Sequence, residues 1–88
     1  MQVQILFKKS SITLKDDSVT EFSRVFEFKK GSFKQQLDEA YEKYEQIIAE
    51  ETSHASILTA TLVSYDIMLV LVKSDDTMER IKRLKFSN

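Results

Sequence analysis

A long apolar stretch in the second half of the chain, SILTATLVSYDIMLVLVKS (residues 56–74), contains neither glycine nor proline. Only Ser64, Tyr65 and Asp66 interrupt its apolar character. Its content of Thr, Val, Ile and Leu favours a strand over a helix. A bilayer span needs about 20 mainly apolar residues. The stretch is shorter and contains a charge, so we expect no transmembrane helix.

The length of this stretch limits how it folds. A single strand over residues 56–73 would extend about 60 Å at roughly 3.3 Å per residue. A compact chain of 88 residues has a diameter near about 30 Å. We therefore expect two strands, residues 57–63 and 67–72, with a turn at residues 64–66. Tight hairpin turns prefer Gly or Asn, and neither is present, so a bent strand that pairs with another chain is the alternative.

The N-terminal third has the pattern of a β-hairpin over about residues 2–29. Val3, Ile5 and Phe7 alternate with polar residues, as in a strand with one buried face. The apolar phase then shifts at Ile12, which indicates that the strand ends or crosses a bulge. A turn at residues 16–18 (Asp-Asp-Ser) precedes a return strand. One face of that strand carries three phenylalanines, namely Phe22, Phe26 and Phe28.

The middle of the chain, KKGSFKQQLDEAYEKYEQIIAEE, predicts one long amphipathic helix. Ser32 and Gln35 have the spacing of a capping box. Apolar residues then recur every three or four positions, which places them on one face of a helix. These residues are Phe33, Leu37, Ala40, Tyr41, Tyr44, Ile47 and Ile48. We expect the helix to end near Thr52.

The C-terminal segment SDDTMERIKRLKF predicts a second, short helix. Asp76 and Glu79 match a capping box, and basic residues near the end suit the helix dipole. The run IMLVLV is apolar on both faces, as in a central strand covered on both sides. The predicted fold is one α+β domain over residues 1–88. It has a mixed or antiparallel sheet of about four strands in ββαββα order, or ββαβα if the long stretch stays unbroken.

Composition narrows the function classes. Cysteine is absent, which excludes disulfides and Cys-based zinc sites. No signal peptide is recognisable, so we expect a cytoplasmic protein. The net charge of -1 gives no general argument for binding nucleic acid or an anionic membrane. No stretch carries a family motif, although small proteins with little glycine and many charged residues loosely resemble accessory proteins of phages and mobile elements.

Catalytic patterns are scarce. His54 is the single histidine, and Gly31 is the single glycine, which excludes a Gly-rich phosphate loop. Glu51 and His54 have the spacing of di-metal carboxylate bundles, but such a site needs a second copy of the motif, so a solvated helix end is favoured. Paired carboxylates at residues 16–17, 50–51 and 75–76 are adjacent and diverge. We expect no enzyme, no cofactor and no metal.

The acidic helix indicates a protein-interaction module, acting as an accessory, regulator or inhibitor. Residues 35–51 contain six acidic residues and one lysine, a net charge of -5 (1 − 6). One-sided negative potential steers a partner that has a basic surface. The predicted partner-binding residues are Asp38, Glu39, Glu42, Glu45 and Tyr41.

Two alternative functions remain open. A basic C-terminal helix would bind nucleic acid through clustered charges that neutralise phosphates, and its residues are Arg80, Lys82, Arg83 and Lys85. The strands also exceed what one small sheet needs, which favours a homodimer or larger homo-oligomer formed by strand pairing.

Overall fold

The computed structural model describes residues 2–55 and 61–87, with side chains described except at residues 54 and 55. Four strands and one helix follow one another in ββαββ order. They are β1 (Gln2–Thr13), β2 (Ser18–Phe28), α1 (Phe33–Ala55), β3 (Thr61–Val72) and β4 (Met78–Ser87). The α+β class is therefore confirmed. The predicted ββαββα order is wrong, because α1 lies between β2 and β3 and a strand replaces the second helix.

The strands form one antiparallel sheet in the order β2-β1-β3-β4. The pairing of β1 with both neighbours runs in unbroken register, for example Ile5 with Phe26 of β2 and with Leu69 of β3. The pairing of β3 with β4 has one irregularity, between Leu69 and Val70. The central strands are therefore β1 and β3, and the edges are β2 and β4.

Helix α1 packs on one face of this sheet, which we call the inner face. The predicted alternation of β1 is confirmed, since Val3, Ile5 and Phe7 are buried there. The predicted helix stripe meets them through Ala40 and Tyr44, both fully buried. The other members of the buried cluster are Ile47, Val63, Tyr65, Ile67 and Leu69.

Polar contacts fix the start and the middle of the helix. The capping box is confirmed, with the backbone N–H of Ser32 donating to Gln35 Oε1 at 2.8 Å and the N–H of Gln35 donating to Ser32 Oγ at 3.2 Å. Gly31 before it has φ of 81°, a left-handed value that favours glycine. The buried hydroxyl of Tyr44 donates to the carbonyl of Ile67 at 3.1 Å, which ties the helix to β3.

The C-terminal part of the helix extends past the predicted end at Thr52 to Ala55. Lys9 forms an ion pair with Glu51 at 3.4 Å. The Lys9 ammonium also lies 5.6 Å from the centre of the Tyr65 ring. Lys9 therefore offsets one of the two glutamates at the negative end of the helix dipole. In the described part of the chain, no helix combines the length and apolar character that crossing a bilayer requires.

The turn predicted at residues 64–66 is absent, because β3 runs through these residues as one strand. Tyr65 is buried on the inner face, and Ser64 and Asp66 lie on the opposite face, so the three continue the alternation. The expected diameter was too small, because the molecule is elongated, 47 × 24 × 17 Å, and accommodates twelve-residue strands of about 40 Å. Residues 57–60 of the strand predicted over residues 57–63 lie outside the described residues.

The predicted C-terminal helix is also wrong, because residues 78–87 form strand β4. Asp75 Oδ1 accepts hydrogen bonds from the backbone N–H of Thr77 at 3.1 Å and from its hydroxyl at 2.6 Å. Asp76 has φ of 66°, as in a three-residue hairpin loop that ends in a left-handed residue. At a helix N-cap, too, an aspartate side chain accepts a hydrogen bond from the backbone N–H two residues later. The sequence pattern therefore fitted both a helix start and this hairpin loop.

The first hairpin uses the same chemistry. The N–H of Ser18 donates to Asp16 Oδ1 at 3.1 Å, and Asp17 has φ of 56°, which confirms the predicted turn. The phase shift at Ile12 reflects neither an end nor a bulge, since β1 keeps its register to Thr13. The apolar side of the strand changes from the inner to the outer face instead.

The hairpin predicts that Asp76→Gly stabilises the protein by up to about 1 kcal/mol, because glycine adopts positive φ without the steric cost of a side chain. At a helix N-cap, the same change would destabilise by a few tenths of a kcal/mol. Urea unfolding measures the difference. Ser74→Gly is the matched control in the same loop, since Ser74 has no positive φ, and we expect it to be slightly destabilising. A loss of stability in Asp76→Gly would contradict the hairpin.

Candidate protein-interaction surface

The face of the sheet opposite α1, the outer face, is uncovered in the described part of the chain. The register places two sets of apolar side chains across its strands. We call Leu6, Val25 and Met68 the central apolar row, and Ile12, Val19 and Leu62 the distal apolar row. Each row crosses β2, β1 and β3.

These apolar side chains are accessible to a great extent. Val19, Val25 and Leu62 are 59%, 52% and 49% exposed. Leu6 and Met68 are half-buried between their neighbours. Single exposed apolar residues are ordinary, whereas contiguous apolar patches mark sites of interaction. The two rows are therefore the best candidate contact surface.

A polar trough of about 680 Å³ separates the two rows. Two cross-strand sets of outer-face residues line it, with one serine from each of the four strands. The sets are Ser23, Lys8, Asp66, Lys85 and Glu21, Ser10, Ser64, Ser87. The row between the two sets, Phe22, Lys9, Tyr65 and Phe86, also contributes to the lining. The serines are shorter than the apolar side chains on either side, which explains the depression.

One ion pair organises the trough. Arg83 binds Asp66 with two hydrogen bonds, from Nε to Oδ1 at 3.0 Å and from Nη2 to Oδ2 at 2.8 Å. Lys85 and Lys8 are the cross-strand neighbours of Asp66 on β4 and β1. The bonds from Arg83, and then the charges of Lys85 and Lys8, hold the pKa of Asp66 below its usual range. Three cations and two carboxylates, Asp66 and Glu21, leave a net charge of +1 (3 − 2) in the middle of the outer face.

The predicted partner-binding residues lie on α1, on the far side of the molecule from the trough. Asp38, Glu39, Glu42 and Glu45 are exposed, whereas Tyr41 is half-buried against the core. Among the described residues, none of these four carboxylates forms an ion pair. The one lysine among them, Lys43, lies 5.2 Å from the centre of the Phe26 ring. The acidic face therefore keeps its charge.

The predicted basic cluster is divided three to one between the two faces of the sheet, because its residues lie on a strand instead of a helix. Arg83 and Lys85 lie on the outer face beside Asp66. The Lys82 ammonium lies on the inner face, 5.5 Å from the centre of the Tyr44 ring. Arg80 pairs with Val70, which lies opposite Gln4 on the outer face. The predicted C-terminal helix would have placed these charges together against phosphates. In strand β4, successive side chains point to opposite faces of the sheet instead.

The carboxylates considered for catalysis make contacts that stabilise the fold. Glu51 pairs with Lys9, and the carboxylates of Asp16 and Asp75 accept hydrogen bonds within the two hairpin turns. Among the side chains that the structure describes, no three Asp or Glu residues group as a metal site. The side chain of His54 lies outside that set. Burial, with the Glu51 carboxylate beside it, raises the pKa of Tyr65 to about 12.

Sequence reasoning missed the outer face and its ion pair. Asp66 and Arg83 are seventeen residues apart, and only the β3–β4 register brings them together. One signal was present, namely that Asp-Asp-Ser at residues 16–18 and Asp-Asp-Thr at residues 75–77 are near copies. Applying the turn interpretation to both would have predicted β4.

Comparison of the chain with protein-family models, with curated proteins and with solved structures found no match.

The pKa shift predicts that the ion pair stabilises the protein at neutral pH and not in acid. The folded pKa of Asp66 is below the ordinary value of 3.8, so its contribution is present above that value and is lost as the pH falls through the folded pKa. Asp66→Asn should therefore lower the free energy of unfolding at about pH 7, and its difference from wild type should shrink towards about pH 3. Urea unfolding at both pH values measures it.

Asp38→Asn is the control, because Asp38 is an exposed carboxylate on α1 without an ion pair among the described residues. We expect it to change stability little at either pH. An Asp66→Asn difference that is constant with pH would show that the Asp66 charge does not stabilise the fold.

Proposed function

We propose that this protein is a small non-enzymatic protein-interaction module that binds another protein through the outer face of its sheet. The observation that supports this function best is the pair of apolar rows that no element covers among the described residues. Covering them removes apolar surface from water, which is the main favourable term in protein association. The function would be accessory, regulatory or inhibitory, because the chain acts by contact alone.

The outer face also specifies what kind of partner fits. Apolar contacts on both sides of a polar, positively charged trough suit a partner with two apolar segments flanking an acidic group. The carboxylate of such a partner would approach Lys8 and Lys85, which are not among the cations that ion-pair with described residues. Polar groups at the centre of a contact give specificity, because a mismatched partner leaves them unpaired.

The acidic face of α1 has a separate role in this proposal. It lies on the other side of the molecule from the apolar rows, so it does not contact the same part of a partner. Its charge adds to the field of the whole molecule and speeds the approach of a basic partner surface, an effect that falls with ionic strength. Nucleic-acid binding through β4 has less support, because its four basic residues are divided between two faces.

Leu62→Lys should weaken partner binding at least about tenfold, because a charge in the distal apolar row opposes its burial. Leu14→Lys is the matched control, since Leu14 is similarly exposed but lies in the first hairpin turn. Immobilised wild type, Leu14→Lys and Leu62→Lys are each exposed to proteins of the source organism. A protein that the first two retain and Leu62→Lys does not retain is purified and titrated against all three. If no purified protein distinguishes Leu62→Lys from Leu14→Lys, the outer face is not the binding surface.

Reversing the acidic face tests its steering role with the same purified partner. Glu39, Glu42 and Glu45 are changed together to Lys, and separately to Gln. We expect the association rate to fall in both variants, more in the Lys variant, and the dissociation rate to change little, because charges outside the contact surface act mainly on approach. Stopped-flow binding at low and high salt measures both rates. An association rate that is independent of these substitutions and of salt would contradict steering.

A further inference from the structure

The two edges of the sheet differ in how they are protected. An edge strand presents unpaired backbone N–H and C=O groups, and proteins usually guard it with charges, proline or bulges. In β4, four bases and one acid within ten residues give a net charge of +3 (4 − 1). Its pairing with β3 also has a register irregularity at Leu69 and Val70. The β4 edge is therefore guarded.

The β2 edge has fewer of these devices. Its eleven residues contain Glu21, Arg24 and Glu27, a net charge of -1 (1 − 2), and neither proline nor glycine. The strand pairs with β1 in unbroken register over its whole length. Val19, Phe22 and Val25 are each more than half exposed along it. A long, regular and apolar edge is the kind to which another strand adds.

We propose that the occupant of this edge is β2 of a second copy of the chain, in an antiparallel pair with a two-fold axis at Phe22. The two sheets then form one continuous sheet of eight strands. This inference goes beyond the proposed function, which concerns the outer face and a different protein. It follows from the order of residues in β2, which favours one register over the others.

Symmetry limits the possible registers. Directly opposed residues of an antiparallel pair share a face, so the two-fold axis must pass through a residue of β2. An axis at Glu21 or at Arg24 opposes like charges at the axis itself. An axis at Ser23 opposes Glu21 to Val25 and Glu27 to Val19 of the second copy. The axis at Phe22 opposes no like charges in any direct pair and keeps nine residues of each strand paired.

The Phe22 register also continues the pattern of the outer face. It opposes Val19 of one copy to Val25 of the other, so the distal apolar row of each chain joins the central apolar row of its partner. Glu21 opposes Ser23 in the same way, so the two polar troughs become continuous. On the inner face, the exposed rings of Phe22 meet at the axis, and each already contacts Phe7 edge-on with ring centres 6.0 Å apart.

Sedimentation equilibrium of the purified chain tests the proposal. The average mass should rise from 10.3 kDa towards twice that value as the concentration increases to about 1 mM, because a single strand pair is a small interface and gives weak affinity. Val25→Lys and Val19→Lys should each weaken dimerisation at least about tenfold, since each places a charge against an apolar side chain of the other copy.

Met78→Lys is the matched control, because Met78 is similarly exposed but lies on the β4 edge. It should leave dimerisation unchanged, as should Leu62→Lys, which tests the outer face only. Circular dichroism and urea unfolding confirm that each variant is folded. A single-chain mass at all concentrations overturns the proposal, whether or not Val25→Lys abolishes binding of a different protein. A dimer that Met78→Lys weakens and Val25→Lys does not weaken also overturns it.

Glu21→Gln tests the register itself. With the axis at Phe22, the two Glu21 side chains are diagonal neighbours across the interface, so removing their charge should tighten the dimer a few fold. An axis at Val25 is the competing register. It opposes Glu21 to Lys29 of the second copy, and there the same substitution weakens the dimer. An unchanged or weaker dimer therefore overturns the Phe22 register.

Discussion

One helix has to cover a sheet of four long strands, and the rest of the structure depends on that limit. Helix α1 has 23 residues and is about 34 Å long, enough to seal one face only. Tyr44 and Ala40 close the core against Ile5 and Ile67, and the hydroxyl of Tyr44 fixes the helix to β3. No second layer lies on the outer face among the described residues. The apolar rows stay exposed there because one helix covers only one face of the four-stranded sheet.

Much of the first half of the fold was predictable because its signals are local. The capping box of Ser32 and Gln35 depends on residues three positions apart, and the alternation of β1 shows its inner face directly. The Asp-Asp-Ser turn acts within the same few residues. Each of these signals depends only on residues that are close in sequence. The local structure they predict could therefore be read without knowing which distant segments pack together.

The second half was less predictable because the same residues allow two structures. Asp75 and Asp76 satisfy backbone groups either at a helix start or in a hairpin loop, and the left-handed φ of Asp76 decides between them. The expected compact shape argued against a strand of twelve residues, whereas the sheet is elongated. The candidate surface was hidden for a different reason. Its rows and the pair of Asp66 with Arg83 exist only once the register is known.

The change of apolar side along β1 gives the two ends of the sheet different sources of stability. Near Ile5 the strands are held by a core that the chain itself supplies. Near Ile12 the inner side chains of β1, Ser11 and Thr13, are polar and Ile12 points outward, so backbone hydrogen bonds contribute more of the stability there. Segments with few buried apolar contacts open at lower free energy than the whole molecule. A protein bound over Ile12 and Leu62 would raise that opening energy by mass action, so slower amide exchange in the first hairpin would report the binding.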